Sequence, residues 1–590
     1  EMLVYFGNII KNIRKNLPYR ILFGIYVSIV SVFVFRIFLS VELTDEVHGI
    51  ASIYHIVQGK VPFMTSWDYH TGWCLQVFLF KIFRYFSPNL EGIVLFFRIA
   101  YGLFSLMVIG IVFMLLYSKY KKLSILIFVF PLLFWVPFSI CQINYITFPI
   151  CLLILAAVLF STANKDAVEK SRYFFMGIFM GLACITYPTL VVMAALFVLL
   201  ILFFENKNVR IKNMSCYILG GVLVGGGFCF WIFSKGSFSL FVQALNGMLS
   251  SPHEKTKGSI DAAFFMQTFY HPMKAYFFRK FTGVIFAYFF FTIFIHRKVK
   301  KRKTIWNTLL FILFQIINVC INSLHIGYLA FGSFLGIIPI LFALRKEKRK
   351  SLSIYIFVLF FFCLTYSFTS DNKNVFAAFE SSGSLIVFII GMVFSEFVFD
   401  EYKFSGIPLS LLLCFTGIIH FYTYVYRDEP VKQLTEQVSQ GIFKGLYTTG
   451  ERKIFVESSE KLITEEVFNK DKICTATRIP MVYLMAKANI CAPQTWDAQF
   501  LARGYTSALP LLDYFKAINE MPDVFIASTM DVEDFLGNPK YEINAFIDQY
   551  YVLYCEKQMQ EVTFYFWRRK DDENINSRLK DNTMIKNILN

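Results

Sequence analysis

The stretch Ser40–His70, SVELTDEVHGIASIYHIVQGKVPFMTSWDYH, gathers Asp45, Glu46, His48, His55, Asp68 and His70 directly behind an apolar run at about 20–40. Titratable groups at that density are out of keeping with the apolar segments around them. The run is long enough to cross a hydrocarbon core of about 30 Å. The stretch is therefore read as the first membrane exit of a polytopic chain, and the question becomes why chemistry is concentrated there.

The rest of the chain supports that frame. Of 590 residues, 56% are hydrophobic, 71 are Phe and only 17% are charged, where a soluble domain carries about 25%. Apolar runs of membrane-spanning length recur throughout, and the ten-residue alternation of a transmembrane β-barrel is absent. The fold class expected is a multi-pass α-helical membrane protein. Its net charge of +16 does not indicate nucleic-acid binding, because Lys and Arg sit in short loops between apolar runs. Twelve Cys are scattered, and the three in the polar tail, Cys474, Cys491 and Cys555, suggest neither a disulfide framework nor a metal site. The first apolar run is too long, and lacks the small-residue site, for a cleaved signal peptide.

Spans are expected at about 20–40, 92–117, 123–140, 144–162, 173–187, 188–204, 214–233, 282–295, 305–323, 326–344, 352–369, 383–399 and 407–426, about thirteen in all. Basic residues before the first span (Lys11, Arg14, Lys15, Arg20), at 119–122, 165–172, 207–212, 296–303 and 345–350 then share one side. The positive-inside rule makes that side cytoplasmic, so the N-terminus is inside and Ser40–His70 outside. Trp73–Phe86 is only about 21 Å long as a helix and reads as an interfacial helix with Lys81 and Arg84 at headgroup level. The cytoplasmic loops are too short for a nucleotide-binding domain. GGVLVGGG at 220–227 reads as close helix packing rather than a phosphate loop. The domains expected are 1–426, transmembrane, with 41–91 as its first outer loop; 427–570, a small extracytoplasmic α/β domain; and a polar tail, 571–590. Within the second, KIFVESS, KICTAT, DVFIAST, YYVLYCE and TFYFWRR read as strands, and 432–446, 509–519 and 541–549 as helices.

In the opening stretch, Thr44 stands where it would cap a helix with Asp45 and Glu46 in its first turn. Val47, Ile50, Ala51, Tyr54 and Val57 follow at helical spacing, and Gly59 and Pro62 end it. The reading is an amphipathic helix on the outer membrane surface. Acids at a helix N-terminus favour the helix whatever else they do; a carboxylate where a span meets water can also work at the mouth of a membrane cavity.

The ordered set DE (Asp45-Glu46), GKVPF (59–63), WDYH (67–70) and FFRIAYG (96–102) resembles the GT-C superfamily. These are integral-membrane glycosyltransferases using polyprenyl-phosphate sugars, among them protein O-mannosyltransferases and the aminoarabinose transferase of lipid A. The likeness is clearest over about residues 20–120. It implies a catalytic aspartate at Asp45, with Glu46 its neighbour in the motif. Where relatives often carry His-Pro-Pro, this chain has His70-Thr71-Gly72; where many carry Lys-Gln-Pro, it has Thr186-Tyr187-Pro188. The second acidic motif of the oligosaccharyltransferase branch is missing from 139–146, so that branch's metal site is not carried over. A divalent metal stays possible but unsupported, and no other cofactor is implied.

Nucleotide sugars are cytoplasmic, so a transferase on the outer face needs a donor carried across on lipid. A single displacement with Asp45 as general base predicts inversion at the anomeric carbon, with cations near the leaving phosphate. Candidates are Lys60, Arg98, Lys274, Arg279 and Lys280. Arg98 also has the interfacial position of a snorkelling Arg, and Lys274, Arg279 and Lys280 flank an apolar run in the manner of anchors. His70 either orients Asp45 or the acceptor, or caps the interfacial helix; Tyr187 stands at a substrate-contact position of the motif. His48 and His55 read as surface histidines, and Asn318, Asn322 and His325 as interhelical hydrogen-bond formers. The partners expected are a polyprenyl-phosphate sugar, a glycan, lipid or protein acceptor, and membrane lipid. The competing class is a transporter or lipid flippase of cell-surface glycan assembly, for which charges inside the spans are the expected mark; here the spans are nearly free of Asp and Glu.

Overall fold

The computed structural model describes residues 17–120, 136, 140–250, 262–278, 281–299, 303–322, 326–343, 346–369, 374–398, 425–496, 509–530, 536 and 542–570. Nearly all of the expected spans at 123–140 and 407–426 lies outside these residues, as do Lys11, Arg14, Lys15, Arg279, Lys280, His325 and the 571–590 tail. The chain divides into two compact units: Glu1–Ile37, Ile99–Gly226 and Ser259–Val425; and Phe38–Arg98, Gly227–Gly258 and Tyr426–Asn590.

The first unit is helical. Helices at Leu17–Ile37, Thr147–Thr162, Lys170–Thr186, Val191–Phe204, Phe281–Lys298, Lys303–Asn322, Ile326–Ala343, Lys346–Thr369 and Gly383–Val398 fall on expected spans, as do Ile93–Tyr120 and Lys207–Phe233, which run across the unit boundary. Among the described residues, two helices are long and apolar enough to cross a bilayer, or four if each of two bent pairs is one span. Several further apolar helices are shorter, so helical membrane character holds while the described helices do not establish thirteen crossings. Close packing accounts for only the first part of GGVLVGGG: Gly220 meets a neighbouring helix, while a Cβ on Gly225, Gly226 or Gly227 would meet nothing within 4 Å. A Cβ on Gly177 would strike the Tyr217 carbonyl, and one on Gly220 the Phe174 carbonyl, so these helices approach backbone to backbone. Asn318 donates to the Leu329 carbonyl (3.0 Å) and to Ser333 Oγ (3.2 Å), a bond between helices.

The second unit holds the α/β sheet. Strands β1 (Glu436–Gln437) and β2 (Tyr447–Thr448) pair with each other. Strands β3 (Lys472–Thr475), β4 (Asn489–Ile490), β5 (Val524–Ser528), β6 (Tyr551–Met559) and β7 (Val562–Arg569) form one sheet in the order β4-β3-β5-β7-β6. The β3 pairings with β4 and β5 are parallel; those of β7 with β5 and β6 are antiparallel.

Three expectations fail in this unit. KIFVESS lies inside a helix, Gly450–Glu466, capped by Thr449, whose side chain accepts from the Arg452 amide. Its buried residues Phe455, Val456, Ser459, Leu462 and Ile463 have the spacing of a 3.6-residue turn, a pattern visible only beyond the seven residues that resemble a strand. The expected helix at 432–446 is instead the β1–β2 ribbon, because Gly441 (φ +77°) and Gly445 (φ +89°) bend the chain in the left-handed region. The Asp45–Val57 helix is not a surface helix. Every residue from Glu46 to Ile56 is buried, against Thr71–Gln76, Val77–Phe86 and Met481–Ala486. His48 and His55 are therefore interior, at 6% and 1% exposure.

Ser40–His70 and the tail share this unit through backbone bonds. The Ser40 amide donates to the Tyr447 carbonyl (2.8 Å) and the Trp67 amide to the Pro493 carbonyl (2.6 Å). Gln58 joins the edge strand from both sides, donating to the Ala488 carbonyl (2.7 Å) and accepting from the Ile490 amide (2.9 Å). The helix Val77–Phe86 buries Phe80 and Phe83. It leaves Phe78, Ile82, Tyr85 and Phe86 exposed beside Lys81 and Arg84, the composition of a helix lying on a membrane surface.

Candidate active site

Asp45 and Glu46 are adjacent in sequence, yet helix geometry turns them to different environments. Glu46 faces inward. Arg98 grips it with two bonds, Nε to Oε1 and Nη2 to Oε2, each 2.6 Å. Arg98 also donates to the Leu39 carbonyl (2.8 Å) and the Ser40 carbonyl (3.1 Å). Both side chains are almost wholly buried. Planar, bidentate pairing of this kind suits guanidinium and carboxylate, and here it clamps the start of the loop onto the helix.

Asp45 faces outward, with its side chain 23% exposed. Tyr426 donates to its Oδ2 at 2.5 Å, and Arg427 Nη1 lies 3.1 Å from the same oxygen. The Arg427 guanidinium packs over the Tyr426 ring, 4.7 Å from its centre, and donates to Thr44 Oγ1. Neither residue was singled out from sequence; the signal was YRDE, Tyr426–Glu429, the first charged cluster after the last apolar run.

Glu42 is a third residue of this network that no sequence motif marks. It, not Thr44, caps the helix: its Oε2 accepts from the amides of Thr44 (3.0 Å) and Glu46 (2.7 Å), and the Thr44 hydroxyl donates to Oε1. Its spacing, three residues before Asp45, was the available signal. Burial, and then the charge of Asp45, push the Glu42 carboxyl up to about 7.

A cavity of about 360 Å³ opens beside this network, lined by Glu42, Leu43, Thr44, Arg427, Arg452, Arg478 and Met530. Arg452 Nε is 3.4 Å from Asp428. Arg478 is 3% exposed, and its guanidinium lies 5.1 Å from the centre of the Trp496 ring.

His48 and His70 belong to a separate cluster around the buried Asp68. Its carboxylate accepts from Ser52 (3.1 Å), Trp73 Nε1 (3.1 Å) and the His70 amide (2.8 Å). The His70 ring stands 3.6 Å away and the His48 ring 3.8 Å. His48 Nδ1 is 3.0 Å from Thr495 Oγ1, which is 2.7 Å from Ser52 Oγ. Burial pushes Asp68 up to about 6 and, with His70 beside it, His48 down to about 3; His48 is thus a neutral ring contact rather than an ion pair.

Of the expected site residues, then, Glu46 and Arg98 meet each other, and His70 joins Asp68. Asp45 meets Tyr426 and Arg427. Lys60 reaches Glu520 at 3.4 Å. In the other unit, Tyr187 stacks between Tyr145 and Tyr366, and Lys274 stands over the rings of Tyr270 and Phe278. Among the described residues, no group of three or more His, Cys, Asp or Glu is arranged to hold a metal.

Fold and site together define a helical membrane protein with an α/β unit and an acid–arginine pocket. The chain is similar to ArnT from Cupriavidus metallidurans bound to undecaprenyl phosphate, with a TM-score of 0.40 and 11% identity over 92% of this chain and 98% of that one. The same protein in the apo state gives 0.39 and 12% over the same shares. No family model matches the chain, and no curated protein does.

Proposed function

We propose that the protein is a membrane glycosyltransferase that moves a sugar from a polyprenyl-phosphate donor to an acceptor hydroxyl at the outer membrane face. Asp45 is its general base. The observation that carries this reading is the partly exposed Asp45 carboxylate, held by Tyr426 and Arg427, beside a cavity lined by three arginines. A base within reach of an acceptor hydroxyl and cations beside it are what a single displacement from a sugar phosphate requires. The acceptor oxygen attacks the anomeric carbon while its proton passes to Asp45. The bond from that carbon to the phosphate oxygen breaks, and its electron pair leaves on the phosphate. One displacement inverts the anomeric centre.

Arg427, partly exposed and lining the cavity, fits the role of steadying charge on the leaving phosphate better than Arg98, which is buried and held by both oxygens of Glu46. The phosphate leaves readily, so no strong general acid is needed, and Asp45 bears most of the demand on proton transfer. The test is purified protein in nanodiscs, offered a panel of radiolabelled polyprenyl-phosphate sugars, with release of lipid phosphate as readout. Asp45→Asn is expected to lose about 10²–10⁴ in turnover while still binding donor. Wild-type turnover in that variant defeats the assignment. A wild-type protein that carries the lipid across the bilayer without cleaving any donor favours the flippase class instead.

A further inference from the structure

The α/β unit has a topological switch point. From β3 the chain passes through Met481–Ala486 to β4 on one side; from β4 it crosses to β5 on the other side of β3. Both pairings are parallel, so the carboxyl ends of β3 and β5 lie side by side where the connections diverge. In open α/β sheets that crevice is where ligands bind. Here the segment leaving β3 is tied to β5: the Ala476 amide donates to the Ile526 carbonyl (2.8 Å), and the Ser528 amide donates to Thr477 Oγ1 (2.9 Å).

The cavity beside Asp45 sits at this point. Arg478 follows the end of β3 and Met530 the end of β5, and both line it. Arg452, from the first turn of the Gly450–Glu466 helix, and Arg427 complete its cationic wall. Among the described residues, Glu42 is the one acidic lining residue. Packing fixes each guanidinium: Arg427 against Asp45, Arg452 against Asp428, and Arg478 over Trp496. Guanidinium groups held in place around a small cavity recognise phosphate by charge-assisted bonds.

We propose that Arg427, Arg452 and Arg478 form a phosphate-binding site at the switch point of the α/β unit. The ligand class is a phosphate ester, carried either on a lipid or on a water-soluble partner. Binding is read without turnover. The proposal rests on the cationic cavity that also supports the donor reading: phosphate binding unchanged by Arg452→Gln while Asp45→Asn is inactive removes this site alone, and wild-type turnover in Asp45→Asn with phosphate binding intact removes only the base.

The test is a titration of the full chain, in nanodiscs of uncharged lipid, with inorganic phosphate followed by ³¹P NMR. Saturable binding is expected. Arg452→Gln and Arg478→Gln should each weaken it about tenfold or more, and Lys516→Gln, on an exposed helix face, should not change it. If Arg478→Gln abolishes the thermal unfolding transition because that side chain is buried, Arg452→Gln decides alone. Farnesyl phosphate and glucose 1-phosphate are then set in competition: stronger displacement by the first assigns a lipid phosphate, and by the second a soluble one. Absence of saturable binding, binding untouched by Arg452→Gln, or displacement by neither compound overturns the proposal.

Discussion

At the residue scale, the DE pair illustrates how one helical step separates two roles. Glu46 turns in to Arg98 and Asp45 turns out to Tyr426 and Arg427. Removing one partner of a buried pair strands the other's charge, so Arg98→Met is expected to destabilise the protein by about 3–5 kcal/mol. Adding Glu46→Gln to it should recover much of that loss; unfolding curves check both, and an undiminished midpoint for Arg98→Met contradicts the clamp. Glu42 makes a different prediction. Its carboxyl ordinarily titrates near 4.5 and is pushed up to about 7 in the fold. A raised carboxyl pKa favours the native state while the group is protonated. That contribution is complete below about 4.5 and is lost as pH rises to about 7. The melting-temperature advantage of wild type over Glu42→Gln should therefore shrink across that window; parallel curves contradict it.

At the element scale, local sequence misleads where the pattern is short. KIFVESS has β-branched and aromatic residues in its first half, but ten further residues reveal the 3.6-residue period of the Gly450–Glu466 helix. The Asp45–Val57 helix has an apolar stripe and a polar one, which read alone describes a surface helix. Its polar stripe, His48 and Ser52, instead meets Thr495 of the tail. The Val77–Phe86 helix keeps an exposed apolar side, Phe78, Ile82, Tyr85 and Phe86. Ile82→Cys, in a background lacking the exposed Cys229 and Cys320, is expected to react with a water-soluble maleimide at least about tenfold more slowly in nanodiscs than Lys461→Cys. Equal rates would remove this helix from the membrane surface.

At the scale of the whole molecule, the division of the chain differs from its linear order. The segment Phe38–Arg98 belongs to the same compact unit as the tail. The α/β region without it would expose the faces of Met481–Ala486 that pack on the Asp45–Val57 helix. It would also lose the Trp67 backbone bond and the Gln58 side-chain bonds. A fragment of residues 427–570 alone is therefore expected to lack a cooperative unfolding transition and to aggregate. A fragment that melts as sharply as the intact protein would show the unit to be independent of the loop.

The sequence alone indicated the helical membrane class, the positions of most of the described long helices though not how many cross a bilayer, four of the five strands of the main sheet, and Asp45 as the residue to examine. These rest on local periodicity and composition, which need no knowledge of distant partners. Tyr426, Arg427, Arg452 and Arg478 became visible only in three dimensions, because they lie about 380 to 430 positions from Asp45. No spacing rule links groups brought together by loop closure. The inward turn of Glu46, the burial of His48 and the parallel switch point of the sheet have the same origin: each is decided by which surfaces pack against one another, and a hydrophobic period records that a face is buried without naming what buries it.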